Sequence, residues 1–191
     1  DTKFYFHEVQ TNFLAKTINR QTATEAVSFL CQDLLGDFCF DGSAGLANAL
    51  SAMITPFLRP RVAGPTPIFV IHSPVEGSGK GKLVDCLTIP STNSIRVGKM
   101  AGNATESEWR KRITAALIAR PSHIIIDNIA GELNSSALAS ATTEDVWLDR
   151  ILGKSETSRI KIRNLWMVTG NNVSLSSELV RRSVSIRLDP G

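Results

Sequence analysis

The stretch SPVEGSGKGK, residues 73–82, decides the fold of this 191-residue chain. It follows the apolar run IFVI, residues 68–71, and precedes a helical run, which is the context of a loop that holds phosphate groups. Glycines let consecutive backbone N–H groups turn toward one anion, and the following helix adds the positive end of its dipole. We predict that the following residues hold phosphates: Pro74, Val75, Glu76, Gly77, Ser78, Gly79, Lys80, Gly81 and Lys82.

The loop departs at two positions from the usual pattern G-x-x-x-x-G-K followed by Ser or Thr. Pro74 stands where the first glycine belongs, and Gly81 replaces the residue whose hydroxyl contacts Mg²⁺. Lys80 keeps its place and supplies a positive charge for the outer phosphates. A glycine-rich surface turn is the alternative interpretation, and a second motif argues against it.

The second motif is an apolar strand that ends in an acid, 47 residues after Lys80. It consists of III, residues 124–126, followed by Asp127 and Asn128. In a phosphate-loop domain such a carboxylate lies beside the loop and holds Mg²⁺ through water. We therefore predict ATP and Mg²⁺ as ligands, with Asp127 as the metal ligand.

Apolar strands alternate with helical stretches along the chain, which predicts an α/β fold with a mostly parallel sheet covered on both faces. A run rich in Pro and Gly, residues 60–67, separates a helical leader, residues 1–60, from the main domain, residues 61–191. A weak strand is predicted at residues 94–97. Helix starts are predicted at four capping residues: Thr22, Ser43, Thr105 and Asn134.

Composition and charge exclude several classes of protein. No apolar run approaches the roughly 18–20 residues of a membrane helix, so no membrane partner is expected. The three cysteines lack metal-ligand spacing and predict a reducing, cytoplasmic location. The first residue is Asp1 rather than Met, so we expect a piece of a longer chain.

The net charge of +3 is modest, but residues 154–187 hold seven basic and two acidic residues. Within this segment, residues 158–163 alternate strictly: isoleucines face one way, and Arg159, Lys161 and Arg163 face the other. Cations along one strand face can follow a nucleic-acid backbone without reading bases. A solvated edge strand protected by charge is the alternative.

The order of these motifs resembles the AAA+ ATPase core. It is phosphate loop, acid-tipped strand, strand ending in TGNN (residues 169–172), short helix ending in two arginines, and strand ending in Leu-Asp-Pro. Together with WRKR (residues 109–112) and DRILG (residues 149–153), this order resembles the helicase half of phage and mobile-element primase–helicases, including superfamily 3 helicases. The resemblance covers roughly residues 54–190 and implies a three-layer α/β/α fold with a five-stranded sheet.

The resemblance also implies roles for individual residues. Asn171 or Asn172 matches the sensor that orients the attacking water or contacts the γ-phosphate, and an Asn-rich turn is the alternative. Arg181 or Arg182 matches the arginine finger that reaches the ATP of a neighbouring subunit, with a solvated helix end as the alternative. The basic strand matches a hairpin that grips DNA in the pore of a ring. The expected DNA contacts are Lys154, Arg159, Lys161 and Arg163.

Three functions stay open at this point. The first is an ATP-driven motor that forms a homo-oligomeric ring, expected to be a hexamer, on single-stranded DNA. The second is a nucleotide-binding switch, for example a replication initiator or loader. It is favoured by Asn128, which stands where the family usually has a glutamate base. The third is a phosphate-loop enzyme that acts on a small phosphate acceptor. We expect Trp109 to belong to the core rather than to stack on bases.

Overall fold

Five parallel strands form the central sheet, in the order β2-β3-β6-β1-β7. Two further strands, β4 and β5, pair as an antiparallel hairpin. The computed structural model describes residues 17–93, 98–150 and 157–191. The strands are β1 (Ile68–Ser73), β2 (Lys99–Ala101), β3 (His123–Leu133), β4 (Val146–Arg150), β5 (Thr157–Lys161), β6 (Leu165–Leu175) and β7 (Ser183–Arg187).

Helices cover both faces of the sheet, which confirms the prediction of a parallel α/β fold. On one face, α4, α5 and the β4–β5 hairpin pack into a continuous apolar core. On the other face, α2 packs against α3 and β7. The helices are α1 (Arg20–Phe29), α2 (Gly42–Leu58), α3 (Lys80–Thr92), α4 (Glu106–Ile118), α5 (Ser136–Ala141) and α6 (Ser177–Val180), and a π-helical segment (Leu30–Leu34) follows α1.

Successive side chains of each central strand point to opposite faces of the sheet, and a layer of helices buries each face. In β1, Ile68 and Val70 belong to the core beneath α4, whereas Phe69 and Ile71 are equally buried outside that cluster. Such continuous burial on both faces explains why the central strands are apolar at every position rather than at alternate ones. Trp109 is 2% exposed within the core, which confirms the core interpretation of this residue.

The chain divides into two compact units, residues 1–37 and residues 38–191. In the first unit the described part consists of α1 and the π-helical segment. In the second unit, α2 is held to the sheet, because the Asn48 side-chain amide donates to the Ser185 carbonyl at 2.8 Å. The sequence places its boundary later, at residue 60, and that division stays a prediction.

Helix starts are set by local capping, and the structure differs from the sequence at three of them. The cap of α1 is Asn19, which exchanges hydrogen bonds with Thr22, so Thr22 lies inside the helix. For α2 the preceding residue is Asp41 rather than Ser43. For α5 the cap is Ser135, one residue after the predicted Asn134. Asn19 and Ser135 have extended backbone geometry, and their side chains accept a helix N–H, whereas Asp41 precedes α2 without a side-chain bond to it. Thr105 caps α4 as predicted.

Strand β3 continues beyond its predicted end. It runs through Asp127 to Leu133 because a bulge at residues 127–128 lets pairing with β6 resume at Ile129. The predicted strand at residues 94–97 and the candidate contact Lys154 lie outside the described residues.

Gly170 makes this bulge possible. It pairs with Ile129 across β3 and β6. A Cβ on Gly170 would press into the Ile129 carbonyl and lie 2.5 Å from Val173 Cγ2. The two strands can therefore approach this closely only where β6 has no side chain.

We expect Gly170→Ala to lower the free energy of unfolding by about 1–3 kcal/mol, because backbone atoms of β3 must move to admit the methyl group. Urea unfolding followed by tryptophan fluorescence measures the change. Gly98→Ala is the matched control, since the added Cβ meets no atom within 4 Å. If the two variants had the same free energy of unfolding, the close approach of β3 to β6 at Gly170 would be contradicted.

Candidate functional site

The loop between β1 and α3 turns at two glycines. Gly77 and Gly79 have φ angles of 71° and 87°, in the left-handed region that side chains disfavour. Gly79 is the residue that precedes α3, so the first N–H groups of the helix open toward the loop. A Cβ at Gly81 would meet no atom within 4 Å, so this position faces open space. The loop therefore has the backbone geometry that an anion site needs.

Lys80 curls back into the loop. Its ammonium donates to the Val75 carbonyl at 3.0 Å and to the Ser78 hydroxyl at 2.8 Å. Burial lowers the pKa of Lys80 from its ordinary value, and the negative charge of Glu76 opposes that shift. These neutral partners can be exchanged for the charged oxygens of a phosphate, which form stronger hydrogen bonds with an ammonium.

Asp127 and Asn128 are both fixed by one hydroxyl. The Thr169 hydroxyl donates to the Asp127 carboxylate at 2.5 Å and accepts the Asn128 N–H at 3.0 Å. The second Asp127 oxygen lies 3.3 Å from the Lys99 ammonium at the end of β2. The bulge interrupts the β3–β6 ladder at these two residues, and the Thr169 hydroxyl takes the place of the β6 backbone partner there. On its other side, Asp127 keeps its register with Ala101 of β2.

The end of β6 lies between the loop and the acid. Asn171 pairs with Ser73 of β1 in register, and the Asn172 side-chain amide donates to the Pro74 carbonyl at 3.4 Å. The Asn171 Oδ1 is buried and, among the described residues, has no hydrogen-bond partner. The strand order thus brings the loop, the TGNN segment and Asp127 to one edge of the sheet, as the carboxyl ends of parallel strands require.

The oxygen atoms at this edge fit a magnesium ion. Mg²⁺ keeps several waters and is usually held by one or two carboxylates together with substrate phosphates. Asp127 offers such a carboxylate, 36% exposed, and Asn171 offers an unpaired carbonyl oxygen. In the described ranges no group of three or more His, Cys, Asp or Glu side chains could hold a metal.

Asn128 is exposed and adopts a φ of 57°, a conformation that asparagine tolerates better than most residues. Its amide side chain accepts no proton at neutral pH. Glu132 lies five residues beyond Asp127 along extended β3, which is roughly 16 Å at 3.3 Å per residue. Glu76 is a second carboxylate. It lies in the loop, and its negative charge acts on Lys80.

Arg181 and Arg182 lie at the opposite end of the strands, where β1 begins. The Arg182 carbonyl accepts the N–H of Ile68, the first residue of β1, whereas the loop begins after Ser73 at the other end. Five strand residues separate these ends by roughly 16 Å. The two arginines therefore cannot reach the loop of their own chain.

The two arginines differ in their partners. Arg182 donates to the Thr143 hydroxyl at 2.6 Å and to the Glu178 carbonyl at 2.5 Å, so its guanidinium is held in place. Arg181 is exposed, and the described residues give it no hydrogen bond or ion pair. Arg181 is therefore the side chain that is free to contact another molecule.

The basic strand has the predicted alternation. Arg159, Lys161 and Arg163 are exposed, while Ile160 and Ile162 are 6% and 4% exposed. The apolar residues hold the strand on the core and leave the cations on the outer face.

A polar network fixes the hairpin to α4. The Thr114 hydroxyl donates to the Asp149 carboxylate at 2.6 Å and accepts the Trp147 indole N–H at 2.9 Å. Arg110 pairs with Asp149 at 3.2 Å and lies over the Trp147 ring at 5.0 Å. The side chains therefore hold β4 rigidly against the helix.

Sequence reasoning missed Thr169 and Lys99. Thr169 lies two residues before the first predicted sensor asparagine, but its contact with Asp127 depends on β6 lying beside β3. Lys99 lies on a three-residue strand whose exposed residues give no periodic signal. Only the pairing of β2 with β3 brings it to the carboxylate.

No protein-family model and no curated protein sequence matches this chain. Solved structures do match in fold. The X-ray structure of JCV helicase superposes with a TM-score of 0.50 and 16% identity, over 90% of this chain and 52% of the helicase chain. A second JCV helicase structure, with a bound thiazolopyridine compound, gives a TM-score of 0.49 and 15% identity over 90% and 53%. This chain thus spans about half the length of the helicase chain and has a helicase-like α/β fold.

We expect Thr169→Val to lower the free energy of unfolding by about 1–3 kcal/mol, because the Asn128 N–H and the Asp127 carboxylate both lose their partner. Thr169→Ser keeps the hydroxyl and serves as the matched control, with stability near that of the parent. Urea unfolding of the three proteins measures the effect. A valine variant as stable as the serine variant would show that this hydroxyl does not hold the bulge.

Proposed function

We propose that the chain is the ATP-hydrolysing motor module of a replicative DNA helicase. In this proposal the subunits form a ring, expected to be hexameric, and ATP is bound between neighbouring subunits. Hydrolysis moves the basic hairpin along single-stranded DNA. The helicase-like fold supports a motor of this class, and the order of the sequence motifs favours an origin in a phage or mobile element.

One observation carries the proposal. The glycine loop, the acid-tipped strand and the TGNN segment meet at one edge of the sheet, linked by Asn172 to Pro74 and by Thr169 to Asp127. One loop and two strand segments that are remote in the sequence thereby build one polar site. A triphosphate is the ligand that this combination of ammonium, backbone N–H groups and carboxylate suits.

Each residue at this edge then has a task. Lys80 and the N–H groups of residues 77–82 bind the phosphates, and Asp127 holds Mg²⁺ through water. The ion would supply positive charge that stabilises the phosphates. Asn171 is the better candidate for the sensor, because its unpaired carbonyl oxygen can accept a hydrogen bond from the attacking water, whereas the Asn172 amide already donates to the loop.

The position of the arginine pair supports ATP bound between subunits. Arg181 lies roughly one strand length from the loop of its own chain, so it can act only on the nucleotide of a neighbour. An arginine supplied in this way neutralises charge on the transferring phosphoryl group. We assign Arg181 as the finger, and Arg182 as the residue that positions the short helix before β7.

The hairpin is proposed to contact DNA. Arg159, Lys161 and Arg163 present charge on one face, and the network around Thr114 holds the neighbouring strand rigid. Lys154 belongs to the same proposal from the sequence alone. Residues 1–60 are proposed as a helical leader or collar for the core.

A second function, an ATP-dependent switch with little turnover, is favoured by Asn128. This residue stands where a glutamate base is expected, and its amide cannot accept a proton. A motor must then draw its base from another carboxylate, and Glu76 in the loop and Glu132 on β3 are the two candidates. Turnover that rises with single-stranded DNA supports the motor, and binding without such turnover supports the switch.

We expect Lys80→Ala to weaken ATP binding at least tenfold and to remove turnover, because the charge on the outer phosphates is lost. Titration with a fluorescent ATP analogue and phosphate release with and without a 20-nucleotide single strand measure both properties in the full-length protein. Lys111→Ala is the control, since Lys111 is an exposed residue that forms an ion pair with Glu108 on α4. Unchanged ATP affinity in the Lys80 variant would refute the loop assignment.

We expect Arg181→Ala to spare ATP binding and to reduce turnover by about 10³-fold or more, the usual cost of losing an arginine finger. Arg182→Ala should instead lower stability, because Thr143 and Glu178 lose their partner. Phosphate release and thermal unfolding of both variants separate the two roles. Full turnover in the Arg181 variant would contradict the finger assignment.

A further inference from the structure

A cleft of about 340 Å³ lies at the amino edge of the sheet, the end at which β3 and β6 begin. Four cationic side chains from two separate parts of the chain line it. Three come from the basic strand. The fourth, Arg120, comes from the connection between α4 and β3, some 40 residues away in sequence. The residues that line the cleft include no carboxylate. The volume lies in the range of ligand sites in proteins.

The walls of the cleft are fixed. The Asn164 side-chain amide donates to the Pro121 carbonyl, and the Leu165 N–H donates to the Ser122 carbonyl at 2.8 Å. The Arg163 guanidinium donates to the Val62 carbonyl at 3.2 Å. The first two bonds join the connections that enter β3 and β6, and the third ties Arg163 to the connection between α2 and β1. The cations therefore face a preformed space rather than a loose surface.

Arg120 has a backbone conformation that its residue type disfavours. Its φ is 50°, just after the last turn of α4, where glycine is the common residue. A residue with a side chain is disfavoured in this region, because its Cβ atom crowds the neighbouring backbone. The side chain at this position adds a fourth positive charge to the cleft, which glycine could not provide. A role of this charge in binding accounts for the disfavoured backbone conformation.

The arrangement of the charges suits a polyanion rather than a single phosphate group. Arg159, Lys161 and Arg163 follow one another every second residue, so they extend over roughly 13 Å along the strand. The three cations repel one another. A phosphodiester chain relieves this repulsion, because it carries one negative charge per nucleotide along its length. The lining has no aromatic side chain on which a base could stack.

We propose that this cleft binds the phosphodiester backbone of a single-stranded nucleic acid, with Arg120 as a contact beyond those of the basic strand. The inference rests on the proposed DNA partner and adds the surface that receives it. Entry to the cleft is at the amino edge, so the strand lies at the opposite end of the sheet from the glycine loop. Binding is expected to depend strongly on salt and weakly on base sequence.

The test uses the full-length protein and fluorescein-labelled dT20 and dA20, followed by anisotropy at several salt concentrations. Arg120→Gly removes the charge and suits the φ of this position, so the fold should be kept. We expect a three- to tenfold loss of affinity and a salt slope smaller by about 0.7, the value for one phosphate contact on a single strand. Lys161→Ala should behave alike, and the double variant should lose about twice that slope.

Controls distinguish the possible outcomes. Lys111→Ala removes an equal charge on α4 outside the cleft and should leave the affinity within twofold. Arg120→Asn, which also tolerates a positive φ, repeats the test should the glycine variant fail to fold. Equal affinity and slope in the parent and both Arg120 variants would overturn the proposal. So would a preference of more than tenfold between dT20 and dA20.

Parallel titration with the fluorescent ATP analogue separates this inference from the proposed function. Loss of DNA affinity in Arg120→Gly with intact ATP binding supports the cleft. DNA binding that depends on Arg120 in a protein that binds no ATP also supports the cleft, while it refutes the motor. ATP binding that survives Lys80→Ala but disappears in Lys80→Ala with Arg120→Gly would show that the cleft takes free nucleotide, which overturns the proposal.

Discussion

The contact between the Thr169 hydroxyl and the bulge of β3 organises the functional edge of the sheet. The hydroxyl donates to Asp127 and accepts from Asn128, two consecutive residues that the β3–β6 ladder leaves unpaired. Gly170 follows directly and lets β3 resume its pairing at Ile129. The Asp127 carboxylate is also paired with the Lys99 ammonium, so the hydroxyl and this cation together set its direction.

The two edges of the sheet carry different kinds of positive charge. At the carboxyl edge, Lys80 and the helix N–H groups converge on a small volume beside a single carboxylate. At the amino edge, Arg181 and the cleft around Arg120 present cations that have few acidic neighbours. The chain therefore presents two separate regions of positive charge, at opposite ends of its strands. Under the proposed function, one region binds a nucleotide and the other a nucleic-acid strand.

Much of the fold could be predicted from local pattern. The apolar runs of β1, β3 and β6 are buried on both faces, and such runs occur only in covered parallel sheets. The strand at Arg159 was predicted correctly because its alternation has the two-residue period of a half-buried strand. Capping was harder to predict, since several polar residues near each helix start can accept the same N–H. Asn19, Asp41 and Ser135 precede their helices for reasons of backbone geometry that the sequence does not display.

By itself, the sequence determined the parallel α/β fold, the glycine loop and the acid at the end of β3, because each depends on residues adjacent in the chain. The tertiary structure alone decided which side chains meet. Thr169 reaches Asp127, Lys99 faces the same carboxylate, and Arg120 joins Lys161 because strand order and register bring distant segments together. The two-residue period of a strand shows which side chains share a face, but not which strand lies beside it. The contacts between strands therefore depend on the assembled sheet.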